Sequence, residues 1–104
     1  MMNESLIERL EDECRLQRYK PPHFYPRCGL TSGKSNRKQP YVIVRKWFGA
    51  FLVQLERFEG RSTVKVTDES RGYSKVIASA TGLDKIEGEN VYRDVCEVMR
   101  EHVR

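Results

Sequence analysis

Between Arg15 and Lys46 the chain has no acidic side chain, while that stretch holds nine lysines and arginines. Residues 1–14 sum to −4 and residues 47–104 to −1, so the whole formal excess of +4 comes from one segment. Such a segment projects a local positive field whatever the overall charge, which points to phosphates or to an acidic surface as partner. Long apolar runs are also missing. The richest, Phe48 to Leu55, contains Gly49 and Gln54 and falls far short of the ~20 apolar residues of a membrane span. The first residues, Met-Met-Asn-Glu-Ser, turn acidic at once, so no signal peptide is expected and the cytoplasm is the expected location. Cysteine is scarce. Cys14, Cys28 and Cys96 are odd in number and irregularly spaced, which excludes a disulfide scaffold and predicts reduced thiols.

What is present suits one small soluble domain, residues 1–104, with a long basic loop at 21–40. Hydrophobic residues make up 38% and charged residues 33%, enough for a thin core but little more. Ser5-Leu6-Ile7-Glu8 has the form of a capping box, and Leu6, Ile7, Leu10 and Cys14 follow at helical spacing. A helix is therefore expected from Ser5 to Pro21-Pro22, with Leu16 and Tyr19 off its apolar stripe and facing a partner or the loop. Pro21 to Pro40 has no periodicity; loops of this length are usually functional or disordered.

Tyr41 to Phe58 is rich in β-branched and aromatic residues and reads as strands at about 41–47 and 50–58, turning near Phe48-Gly49. Glu59-Gly60 supplies a tight turn, and Val64 and Val66 alternate inward against Thr63, Lys65 and Thr67. After a turn at Ser70-Arg71-Gly72, Tyr73 to Ala80 gives a fourth strand with Val76, Ala78 and Ala80 on one face. Asp84-Lys85-Ile86-Glu87 resembles a second capping arrangement. It opens a C-terminal helix whose apolar face holds Val91, Tyr92, Val95, Val98, Met99, His102 and Val103, with Gly88 weakening the first turn. The order α-β-β-β-β-α predicts an α+β fold, an antiparallel sheet of three to four strands flanked by an N-terminal and a C-terminal helix.

Catalytic constellations are weak. Gly33-Lys34-Ser35 matches only the tail of a phosphate-binding loop; the position that requires glycine is Cys28, and neither a strand nor a helix flanks the match. Cys14, His23, Cys28, Cys96 and His102 have no common zinc spacing and no Cys-x-x-Cys pair, so no metal and no cofactor is expected. A Cys28/His23 nucleophile pair lacks an acid to orient the histidine. A non-enzymatic protein is expected. The candidate binding residues are Lys20, Arg27, Lys34, Arg37, Lys38, Arg45 and Lys46 with Tyr25, because cations interleaved with aromatics suit phosphate contact and base stacking. The plain alternative is a solvated loop.

Small size, a short amphipathic helix, a compact sheet, a closing helix and a charge-biased loop together resemble small phage-encoded inhibitors, the anti-CRISPR proteins among them. The segment Ala78-Ser79-Ala80-Thr81-Gly82-Leu83-Asp84-Lys85, followed by a helix, is similar to a strand-glycine-Asp-Lys-helix passage of some phage proteins. The resemblance implies stoichiometric blocking of a nucleic-acid-processing complex, with a protein of that complex or its bound RNA or DNA as partner. It brings no site residues, since the group shares no motif. Many such inhibitors are acidic mimics of nucleic acid, and the charge of +4 departs from them. The α-β-β-β-α order of double-stranded-RNA-binding domains is close, but where their basic cluster stands at the start of the last helix this chain has Asp84, Glu87 and Glu89. A direct nucleic-acid-binding module and a small subunit of a homodimer are the alternative functions.

Overall fold

The computed structural model describes residues 2–20 and 41–103, with side chains from Glu4 onward. Helix α1 spans Met2–Cys14 and is followed by a two-residue strand β1, Gln17–Arg18. Strands β2 (Tyr41–Phe48), β3 (Phe51–Phe58), β4 (Arg61–Asp68) and β5 (Lys75–Leu83) then form a meander, and helix α2 (Lys85–His102) closes the chain. All neighbours in the five-stranded sheet are antiparallel, in the order β1-β5-β4-β3-β2. The fold is α+β as expected, with one strand more than the three to four read from the sequence.

The extra strand comes from an early end to the first helix. Arg15 adopts a left-handed φ of 65°, and the Leu16 amide donates to the Leu10 carbonyl at 3.2 Å, so the chain leaves the helix six residues before Pro21. Gln17 and Arg18 then pair with Ser79 and Ala78. Leu16 is consequently not a partner-facing residue; it is 1% exposed in the core, whereas Tyr19 stays exposed. The helix also begins at Met2, which places Ser5 within it rather than at its cap, since nothing in Met-Asn-Glu breaks a helix and Glu4 suits the positive end of its dipole.

One core unites both helices with one face of the sheet. Leu6, Leu10, Leu16, Val53, Val64, Val66, Val95 and Met99 are its best-buried members. The turns follow the sequence closely. Glu59 and Gly60 take φ of 51° and 79°, the paired positive values of a tight hairpin. Asp84 caps α2 with a full capping box: its side chain accepts from the Glu87 amide at 2.7 Å, and Glu87 accepts from the Asp84 amide. In β5 a bulge opposite Val66 and Thr67 changes the expected face. Ala78 pairs with Val66 and Val76 with Thr67, so Ile77 and Ala78 are buried while Val76 joins the opposite side.

Helix α2 packs over β3 and β4, and α1 packs over β5 and β1. Strand β2 projects beyond both. Among the described residues the opposite face of the sheet carries no helix.

Candidate functional site

The two edges of the sheet are built differently. At the β1 edge only two residues form a strand, and Arg18 on it is held by Glu4 at 2.7 Å and Glu11 at 3.9 Å. A short, charge-braced strand is how proteins blunt an edge against further pairing. At the β2 edge the strand is eight residues long, without proline or glycine, and pairs with β3 on one side alone among the described residues.

Strand β2 is also exposed on both faces. Tyr41 is 60% exposed and Trp47 56%, while Val42, Ile43 and Val44 lie between 37% and 41%; of the eight residues only Phe48 is buried. Register fixes the direction of each side chain. Val44, Lys46 and Phe48 stand opposite Leu55, Val53 and Phe51 and so point to the helix side. Arg45 and Trp47 stand opposite Gln54 and Leu52 and point to the helix-free side, where a slip at Ile43 also turns Val42. Trp47, Leu52, Thr67 and Val76 make one cross-strand row on that face, in which the Thr67 hydroxyl donates to the Leu52 carbonyl at 3.3 Å. The next row runs Arg45, Gln54, Lys65, Ser79.

Neither Arg45 nor Lys46 forms an ion pair among the described residues. Lys46 lies 5.7 Å from the Phe48 ring centroid, and the Glu56 carboxylate on the helix-free face is taken by Lys65 at 3.2 Å. Other cations are paired, Arg9 with Glu13 and Glu101 and Arg15 with Glu87, while Arg57, Lys85, Arg93 and Arg100 also lack an ion pair among the described residues, none of them within an exposed apolar run like that of β2. Of the basic stretch seen in the sequence, Arg15 and Arg18 therefore serve the fold, and Arg45 and Lys46 keep their charge for solvent or a partner.

Lys20, Arg45 and Lys46 are the described members of the sequence-derived site, and the structure does not bring them together. Lys20 follows β1 at one edge and the other two lie on β2 at the far edge, four strand spacings or about 19 Å across the sheet. Tyr25, Arg27, Lys34, Arg37 and Lys38 lie outside the described residues, as do His23 and Cys28. Tyr41, Val42, Ile43, Val44 and Trp47 were missed as candidates, because β-branched and aromatic residues in a strand ordinarily pack into a core. The signal available was the Arg45-Lys46 pair inside that run.

The two described cysteines, Cys14 and Cys96, are buried packing groups. Burial pushes the Cys14 thiol from its ordinary 9.0 up to about 12, and Asp94 and Glu13 add to the rise. Burial raises the Cys96 thiol too, and the Tyr92 hydroxyl and the charges of Lys46 and Arg100 pull it back only in part. Thiols held protonated are inert packing groups at neutral pH. His102 is exposed and meets the Phe51 ring edge-on at 6.2 Å. No three His, Cys, Asp or Glu side chains converge on a metal-sized site among the described residues, and no described helix is long and apolar enough to cross a membrane. Comparison with known protein families, with curated proteins and with solved structures finds no match to this chain.

Proposed function

We propose that the protein works by binding rather than catalysis, docking on a component of a nucleic-acid-processing complex through the β2 edge. The observation that carries this reading is the combination on one strand of exposed Tyr41 and Trp47, three half-exposed branched residues and two cations without ion-pair partners among the described residues. Exposed apolar surface rimmed by unpaired charge marks interaction sites, and Trp, Tyr and Arg dominate the energetics of such surfaces. The exposed side of α1, with Glu8, Glu11, Asp12 and Glu13, has the opposite sign, so an acidic partner is drawn to β2 and turned away from α1. In the form that the resemblance to phage-encoded inhibitors implies, the binding is stoichiometric and blocks the complex.

The test is capture from nuclease-treated lysate by wild type and by the Arg45→Glu/Lys46→Glu variant at matched salt. A protein partner retained by wild type and reduced at least about tenfold by the variant supports the reading, two contacts of ~1 kcal/mol each being sufficient. A partner held equally by both proteins places the site elsewhere. A partner lost on nuclease treatment, with direct binding to the freed RNA or DNA, replaces the reading by a nucleic-acid-binding module.

A further inference from the structure

We infer that β2 is an acceptor strand: the partner docks by adding an extended, acidic segment of its own polypeptide to the sheet as a sixth strand beside β2. This rests on the binding reading above and specifies its mode. An edge strand offers every second N–H and C=O outward, and over eight residues β2 presents about 24 Å of such backbone. A partner strand that pairs there gains main-chain hydrogen bonds from the edge and side-chain contacts on both faces. Both faces are furnished for this. Val44 stands uncovered beside the helix layer and Trp47 beside the helix-free layer, so apolar residues of an incoming strand meet apolar neighbours on either side.

Charge decides among the occupants. A second copy would pair β2 with β2 about a two-fold axis. Full overlap then sets Arg45 opposite Val44 and Lys46 opposite Ile43 of the other copy, which gathers four cations within two residues of the axis. Like charges at adjacent cross-strand positions oppose pairing, and a lysine on an edge strand is a common block to self-association. An acidic strand reverses each of those terms. Arg45 and Lys46 point to opposite faces, so the matching segment carries adjacent carboxylates at its centre, one for each face, with branched residues on either side. The other edge cannot substitute, since β1 is two residues long and its arginine is already bound to Glu4 and Glu11.

The probes are two capped synthetic octapeptides, Val-Thr-Val-Glu-Asp-Val-Thr-Val and the same sequence with Lys-Arg at its centre. Each is titrated into the full chain and into the Arg45→Glu/Lys46→Glu variant, with amide hydrogen exchange read residue by residue. The acidic peptide is expected to slow exchange at the alternate β2 amides left open by β3. It should bind wild type at least about tenfold more tightly than the basic peptide, and the preference should invert in the variant. N-methylation of alternate peptide residues should abolish binding in one phase of the alternation and spare it in the other.

No protection of β2 at millimolar peptide overturns the inference, as does a preference that fails to invert. Protection of β2 without peptide, with a doubling of mass that depends on concentration, makes a second copy the occupant. Protection in the monomer that is lost when the chain is cut between residues 21 and 40 makes that segment the occupant. Protection by a twelve-nucleotide single strand with both peptides inert makes the ligand nucleic acid. A lysate partner that still depends on Arg45 and Lys46 while no peptide protects β2 overturns strand addition alone and leaves the binding reading standing.

Discussion

Replacing Gly88 by alanine sets two known effects against each other, and the structure gives the sign. Gly88 is buried in the first turn of α2, where it seats the helix on β4. A Cβ added there falls 2.6 Å from the Ser62 Cβ and 2.8 Å from its Oγ, with Leu55 Cδ1 at 3.4 Å. The Ser62 Cβ is fixed to the strand backbone and cannot rotate away, so α2 must lift by about 1 Å from β3 and β4. A Cβ–Cβ approach of 2.6 Å puts this overpacking in the upper part of the usual range, about 2–3 kcal/mol. Alanine returns about 1 kcal/mol of helix propensity. The net loss is about 1–2 kcal/mol, which lowers Tm by roughly 4–15 °C in a domain of this size. Thermal and urea unfolding followed by circular dichroism measure it. Ser62→Ala keeps the offending Cβ and should rescue little, whereas Ser62→Gly removes it, so only the Gly pairing with Gly88→Ala should show a favourable coupling above about 0.5 kcal/mol. A Gly88→Ala protein as stable as wild type would refute this seating of α2. Because β2 lies beyond α2, the substitution should leave binding at β2 unchanged below the melting transition.

The folded pKa of Cys14 stands above the unfolded one, so the stability it contributes is complete below pH 9 and is lost as pH climbs from 9 towards 12; at pH 10.5 the loss is about 2 kcal/mol, checked by urea unfolding of wild type and Cys14→Ala across that range. Trp47 is the chain's single tryptophan and is more than half exposed, so the free protein should be readily quenched by acrylamide and the docked protein should not; equal quenching in both states places the contact away from β2. Arg45→Thr/Lys46→Thr removes the like-charge barrier while keeping strand-forming residues, and should leave the monomer's stability within about 0.5 kcal/mol but shift it towards dimers in sedimentation at high concentration. A variant that stays monomeric refutes the barrier.

Much of the fold was legible because local chemistry and burial agree. The Gly60 turn, the Asp84 capping box and the Val64/Val66 alternation each have one comfortable conformation, and the structure adopts it. Gly88 misled only in part. It does weaken the helix locally, but its cause is a tertiary contact with Ser62, some 26 residues distant, which no local pattern carries. The end of α1 was misread for a similar reason. Pro21-Pro22 forbids a helix beyond Lys20, yet the chain stops at Cys14 because Leu16 gains more by turning into the core than by extending an exposed helical turn. Likewise the β5 bulge depends on the register of β4, and so the faces of Ile77 and Val76 were fixed by a neighbour rather than by alternation.

The proposed binding surface was half legible, and the missing half is a matter of topology. Charge counting found Arg45 and Lys46 but grouped them with Arg15, Arg18 and Lys20, which the sheet order sends to the other edge. There the acids of α1 neutralise Arg18, so an asymmetry that looks like one basic segment becomes one braced edge and one charged, open edge. Hydropathy could not tell an open strand from a central one, since Tyr-Val-Ile-Val-Arg-Lys-Trp-Phe satisfies either. What separates them is the cost of two adjacent cations: in a central strand they must be buried or paired, whereas on an open edge they remain solvated. The Arg45-Lys46 pair thus argues for the edge on energetic grounds, and its position at the middle of an apolar strand argues that the edge is kept open to a partner of opposite charge.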